Sequence, residues 1–169
     1  ETRKRLMDGF GAKVFDSTGG IWGFGGISCD QDEYQGIHLV CEDYHYLDIV
    51  DPETKKPIDM SGGGGIGELV HTALEWEAAP SFRYALGDII ELTTEPCRCG
   101  RPGMRMRFKG RADDLIIVKG VNVFPAAIKG VVDSFIPKVT GEMRIVLNAP
   151  PPRVEPPLRM KVEVSGDIE

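Results

Sequence analysis

The sequence predicts an α+β, β-rich fold on three observations. Most of the 169 residues fall into short apolar or alternating runs bounded by Gly and Pro, only two stretches carry helical signals, and the pattern shifts from strands to mixed elements near residues 110–114. A content of 41% hydrophobic and 27% charged residues suffices for a buried core in one domain or two small ones. Twenty basic residues are scattered among twenty-six acidic ones without a basic block, and the net charge is −6. That balance argues against nucleic acid or an anionic membrane as partner. No apolar run approaches the eighteen or so residues of a membrane span, and no leader pattern is present. With four cysteines, two of them close together as Cys97 and Cys99, the expected setting is the reducing cytoplasm.

Taken in order, TRKRLMDGFG reads as the last turns of a helix capped by Gly9 or Gly11, and both ends of the chain have the look of a fragment. AKVFDS predicts a short strand followed by the glycine-rich turn TGGIWGFGG. IHLVCEDYHYLDIVD gives two strand-like halves, closed by the turn DPETKKP with Pro52 and Pro57 around it. SGGGGIG, residues 61–67, is expected to be a flexible surface loop. It lacks the Lys-Ser or Lys-Thr pair of a phosphate loop and runs into a strand, not a helix. GELVHTAL and SFRYALGDIIELTTE predict strands, the second interrupted at Gly87, and a cysteine-bearing loop extends to Pro102. LIIVKG is a buried strand and FPAAIKGVVDSF a short helix with Pro125 in its first turn, where the missing N–H costs nothing. MRIVLN and LRMKVEV close the chain as strands joined by the linker-like APPPRVEPP.

Four stretches can carry chemistry. In RYALGD, Asp88 follows a glycine at a strand bend, and its two acceptor oxygens suit a vicinal diol such as ribose. On the hexapeptide alone, a turn aspartate capping backbone N–H groups is the simpler reading. In GRADD, Arg111 can reach a ribose or phosphate oxygen with Asp113 and Asp114 in a tight turn, or form a surface ion pair worth about 0.2–1 kcal/mol. In FDSTGG, small residues let the backbone approach a phosphate. The fourth stretch is PCRCGRP, whose Cys97 and Cys99 with Cys29 and His38 can complete a Cys3His tetrahedron. Cys41 competes with Cys29 for that place, and buried free thiols are the alternative. His45 and His71 lie in strand patterns and read as packing or surface residues.

RYALGD, CRCGR and FKGRADDLIIVKGVNVFPAAI, in this order and spacing, resemble the phenylacetate-CoA ligase family of adenylate-forming enzymes. DYHYLDIVDPETKKP and GELVHTAL fit the same family, so the resemblance covers nearly the whole chain. It implies a C-terminal fragment: the distorted β-barrel-like part of a large AMP-binding domain over residues 1–110, a hinge at 111–114, and the start of a small α+β domain over 115–169. It implies an enzyme that activates a carboxylic acid with ATP and Mg2+ as an acyl adenylate and passes the acyl group to coenzyme A. By resemblance Asp88 and Arg111 contact the ribose, Phe15 lies near adenine, Thr18 contacts phosphate, and Asp113 is the hinge. Lys119 and Gly120 match the turn that approaches the site during thioester formation.

Where the family carries an aromatic-Gly-x-Thr-Glu pattern, this chain has FDSTG, and Gly19 stands in place of the glutamate that helps hold magnesium. The resemblance places the phosphate loop before residue 1 and the catalytic lysine after residue 169, so no catalytic residue is expected within the segment and adenylation by it alone is not expected. Related ligases with a Cys, His and Cys-x-Cys set add weight to structural Zn2+. Trp22 and Phe24 are candidates for an apolar wall of the acyl pocket, or for ordinary core. An arylacetic acid is the expected substrate, and a homodimer is compatible with the sequence. The other readings are an adenylating enzyme acting on an acceptor such as a deazaflavin, and a non-catalytic nucleotide-binding or structural module.

Overall fold

In the computed structural model, which describes residues 2–19, 25–31, 33–40, 42–78 and 80–166, strands carry most of the regular structure. The elements are α1 (Thr2–Phe10), β1 (Ser17–Thr18), β2 (Gly25–Ser28), β3 (Ile37–Val40), β4 (His45–Val50), β5 (Gly64–Ala73), β6 (Tyr84–Thr93), β7 (Arg105–Arg111), β8 (Ile116–Val118), β9 (Val121–Val123), α2 (Pro125–Asp133), β10 (Val139–Val146), β11 (Arg153–Val154) and β12 (Arg159–Val164). They fall into two units, Glu1–Leu86 with Ile90–Phe108, and Gly87–Ile89 with Lys109–Glu169. Among the described residues the two helices are short, and no helix is long and apolar enough to cross a membrane.

The first unit is organised by a seven-stranded sheet of order β1-β2-β3-β7-β6-β5-β4, which among the described residues is open and not a closed barrel. Side chains on alternate positions build one core: Ile37, Leu39, Leu47, Ile49, Leu69, Ile90, Leu92 and Met106 pack together, with Tyr34, Ile58 and Met60 against them. α1 ends where Gly11, at φ +60°, donates its N–H to the Met7 carbonyl, so Gly11 and not Gly9 is the cap. The DPETKKP turn forms as expected. Asp51 Oδ1 accepts hydrogen bonds from the Thr54 N–H at 2.7 Å, the Glu53 N–H at 3.1 Å and the Thr54 hydroxyl at 2.9 Å.

Four expectations are corrected along this sheet. The AKVFDS strand is reduced to Ser17–Thr18, because the Val14 carbonyl accepts from Arg3 Nε at 2.8 Å and not from a neighbouring strand. Part of the expected glycine-rich turn is strand: Gly25–Ser28 forms β2, paired antiparallel with β3. The SGGGGIG loop instead feeds β5 from Gly64 onward, since a Cβ at Gly64 would lie 2.3 Å from the Leu92 carbonyl oxygen. Its glycines thus permit close backbone approach in a sheet. β6 continues through Gly87, whose φ of +78° bends the strand without ending it. The sequence assigns no element to 103–110, yet β7 runs through RMRFKGR, where basic residues at alternate positions hide the apolar period.

In the second unit, β8 and β9 form a hairpin and β11 lies parallel to β8, while β10 and β12 pair antiparallel with an irregularity between Val139 and Met143. Ile89, Leu115, Ile116, Ile117, Val132 and Val154 are its buried apolar residues. α2 opens with Pro125 in its first turn, as predicted, after an extended Phe124. APPPRVEPP is more than a linker. Its Arg153–Val154 pair forms β11, and Val154 is buried.

Candidate functional site

In the second unit, Arg111 stands between two carboxylates. Its Nη1 donates to Asp88 Oδ1 at 3.1 Å and its Nε donates to Asp113 Oδ1, also at 3.1 Å. Chain geometry sets this up: the Ala112 N–H donates to the Gly87 carbonyl at 2.8 Å, so the bend of β6 carrying Asp88 is tied to the stretch carrying Arg111. Gly87 is favoured by its backbone and leaves room for the movable end of Arg111. Its φ of +78° disfavours other residues, and a Cβ there would lie 2.7 Å from Arg111 Nη2. The carboxylates, Asp113 foremost, hold the guanidinium proton above its ordinary affinity, and the Arg111 hydrogen bond holds the Asp113 carboxyl below the usual range. All three side chains remain open to water, with Arg111 47% exposed and Asp88 30% exposed. An ionised carboxylate beside an oriented five-donor fork can bind a diol and an adjacent anion together.

Lys119 and Gly120 form the two-residue turn of the β8–β9 hairpin, with φ values of +49° and +80°. Positive φ at both central positions makes this the tight turn whose twist matches its strands. Both residues are exposed. Phe15 and Thr18 belong to the first unit: Phe15 is 43% exposed just before β1, and Thr18 pairs with Gly26 inside it. Gly19 is exposed and brings no side chain. Trp22, Phe24 and Cys41 lie outside the described residues.

The first unit also gathers Cys29, His38, Cys97 and Cys99, whose ligand atoms all lie within 4.8 Å of one another. Cys29 Sγ is 3.9 Å from Cys97 Sγ, and Cys99 Sγ is 3.4 Å from His38 Nε2. Tetrahedral zinc, with bonds of about 2.3 Å to sulfur and about 2.0–2.1 Å to nitrogen, requires separations of about 3.8 Å and about 3.6 Å. The thiols are free, and Cys29, Cys97 and His38 are buried. Burial first, then the charge of Arg105, holds His38 below its ordinary value and favours the neutral imidazole that a metal needs. His38 Nδ1 is buried with no hydrogen-bond partner among the described residues. The donor set and its spacing fit a Cys3His metal centre.

Sequence reasoning missed one further polar network. His45 Nδ1 and His71 Nε2 lie 3.0 Å apart, His71 Nδ1 lies 2.9 Å from Ser81 Oγ, and all three residues are buried. The Trp76 ring meets His45 edge-on. The two histidines are packing residues, but hydrogen-bonded ones. Their Cα partners, Ala73 and Leu47, are not each other, so no spacing along the chain signals the pair.

No family model matches the chain. A phenylacetate-coenzyme A ligase from Thermus thermophilus is 39% identical over 166 residues, which is 96% of this chain and 36% of that protein. Among solved structures, 2-hydroxyisobutyryl-CoA ligase in the postadenylation state, in complex with R3-HIB-AMP, matches with a TM-score of 0.68 and 25% identity over 97% of this chain and 34% of its own. An open conformation of that ligase in complex with 2-HIB-AMP and CoA also has a TM-score of 0.68, with 26% identity over 95% of this chain and 35% of its own. The chain thus spans about a third of the length of these proteins.

Proposed function

The chain belongs to the phenylacetate-CoA ligase family over the segment it spans, and from that premise we propose that it is part of an ATP-dependent carboxylate-CoA ligase. The observation that carries the proposal is the Asp88–Arg111–Asp113 group, an oriented carboxylate and guanidinium open to water, with Arg111 and Asp113 in GRADD and Asp88 in RYALGD. Asp88 accepts from the ribose hydroxyls of ATP or AMP, and Arg111 donates to the ribose or to phosphate oxygens beside it. Ligand oxygens thereby replace part of an ion pair that water already screens, so recruiting these groups costs little. Phe15 flanks adenine, and the Thr18 hydroxyl donates to phosphate. Asp113 is the pivot, with residues 1–110 and 115–169 on either side of it. The exposed Lys119–Gly120 turn lies toward coenzyme A in the thioester-forming step, where glycine leaves room for a pantetheine arm.

The acid is an arylacetate, a reading supported by the naming of the Thermus thermophilus relative. Gly19 offers no carboxylate, so position 19 contributes no side-chain ligand to a magnesium ion. Cys29, His38, Cys97 and Cys99 hold structural zinc, which ties the loop after β6 to the β2–β3 hairpin and has no open position for chemistry. The test is CoA thioester formation by the full-length parent protein across a panel of aromatic and aliphatic acids. Phenylacetate or a close analogue is expected to lead, and absence of thioester with every acid would reject the ligase reading. AMP titration by calorimetry, on wild type and Asp88→Ala, isolates the ribose contact, where at least tenfold weaker binding is expected.

A further inference from the structure

Arg105 occupies an unusual place for a cation. It is 6% exposed, and among the described residues it makes no ion pair. Its Nη1 donates to the Gln35 carbonyl and its Nη2 to the Glu95 carbonyl, each at 2.7 Å, while Nε has no hydrogen-bond partner among the described residues. A buried guanidinium without a carboxylate is strongly disfavoured unless some other negative charge stands close by. Glu91 lines the same cavity as Arg105, and a second candidate is adjacent. Arg105 is the direct partner of His38 in the antiparallel β3–β7 ladder, so the two side chains project from the same face of the sheet. The carbonyls it binds lie three residues before His38 and two residues before Cys97.

We propose that Arg105 is the positioning residue and counter-charge of the Cys3His centre. A divalent metal bound by three thiolates and one neutral imidazole carries a net charge of −1, which the guanidinium balances in the same buried region. Its two outer nitrogens fix the chain segments that deliver His38 and the Cys97–Cys99 pair. Lysine, a point charge, cannot make both bonds in that fork geometry. The inference rests on the metal-centre reading above, and it adds a residue that binds no metal itself.

The test is zinc affinity by chelator competition for this chain and its Arg105→Met, Arg105→Lys and Arg107→Met variants. Arg107 is the control because it lies on the same strand, and its Nη2 donates to the Tyr34 carbonyl at 2.9 Å. Arg105→Met is expected to weaken zinc at least tenfold, Arg105→Lys by a smaller factor, and Arg107→Met less than twofold. In cobalt-loaded protein, Arg105→Met should also shift the thiolate-to-metal charge-transfer band while Arg107→Met leaves it in place. Affinity within twofold of wild type in Arg105→Met would overturn the proposal, as would an equal loss in Arg107→Met. Should Arg105→Met fail to fold, Arg105→Lys decides, and unchanged zinc affinity there overturns it. A wild-type chain that binds no zinc rejects the metal centre together with this inference, whereas zinc-bound wild type with unaltered Arg105 variants rejects this inference alone.

Discussion

Arg105 and Arg111 sit at the two ends of β7 and do opposite work with the same chemical group. Arg105 is buried and donates to two backbone carbonyls, so it holds chain segments in place. Arg111 is about half exposed and donates to two carboxylates, an arrangement that water screens and a ligand can rearrange. Burial decides the difference. The same fork serves architecture where solvent is excluded and recognition where it is not.

Removing metal should produce the largest effect on stability. Protein purified without chelator is expected to carry close to one zinc per chain by elemental analysis, and Cys97→Ser with Cys99→Ser should destabilise the fold by more than about 4 kcal/mol, as lost metal sites do. Equal denaturation midpoints with and without metal would place the cluster with ordinary buried thiols. Next is Gly87→Ala, which combines an unfavourable φ with a Cβ 2.7 Å from the Arg111 guanidinium. A loss above about 1 kcal/mol in urea unfolding is expected, larger than from removing Arg111 itself.

A smaller effect sharpens the contrast from a third place. Burial, then the charge of His45, holds His71 below its ordinary value. The unfolded chain therefore binds the His71 proton first as pH falls. Stability is fully present above about pH 6.5 and declines as the pH drops from there through the depressed value. Urea midpoints from pH 8 to pH 5 should show this slope, and His71→Gln should flatten it. Smallest of all is Arg111→Ala, expected to cost under about 1 kcal/mol of stability because the ion group is exposed. A loss several times larger would make Arg111 an architectural residue like Arg105 and end the contrast.

Much of the local structure was legible in the chain. The α1 cap, the Asp51 turn, both halves around β3 and β4, and Pro125 opening α2 all follow from rules that act over a few residues. Where the reading failed, the deciding neighbour was far away. The glycine run looked flexible because the groups that require those glycines, the Leu92 carbonyl at Gly64 and the Val50 carbonyl at Gly67, lie well away in sequence. β7 was hidden because its basic side chains satisfy carbonyls at Gln35, Glu95 and Tyr34 that no local pattern reveals.

By itself, then, the sequence determined which residue types were available for chemistry: the Asp88 and Arg111 motifs, five candidate metal ligands with Cys41 counted beside Cys29, and the missing carboxylate at Gly19. Only the tertiary structure decided that Cys29 meets Cys97 across sixty-eight positions, that His71 lies between His45 and Ser81, and that Arg105 is buried with its outer nitrogens on two backbone carbonyls. The reason is physical. Charge, hydrogen-bonding capacity and backbone preference belong to each residue, whereas burial and ligand spacing arise only when strands distant in sequence share a sheet.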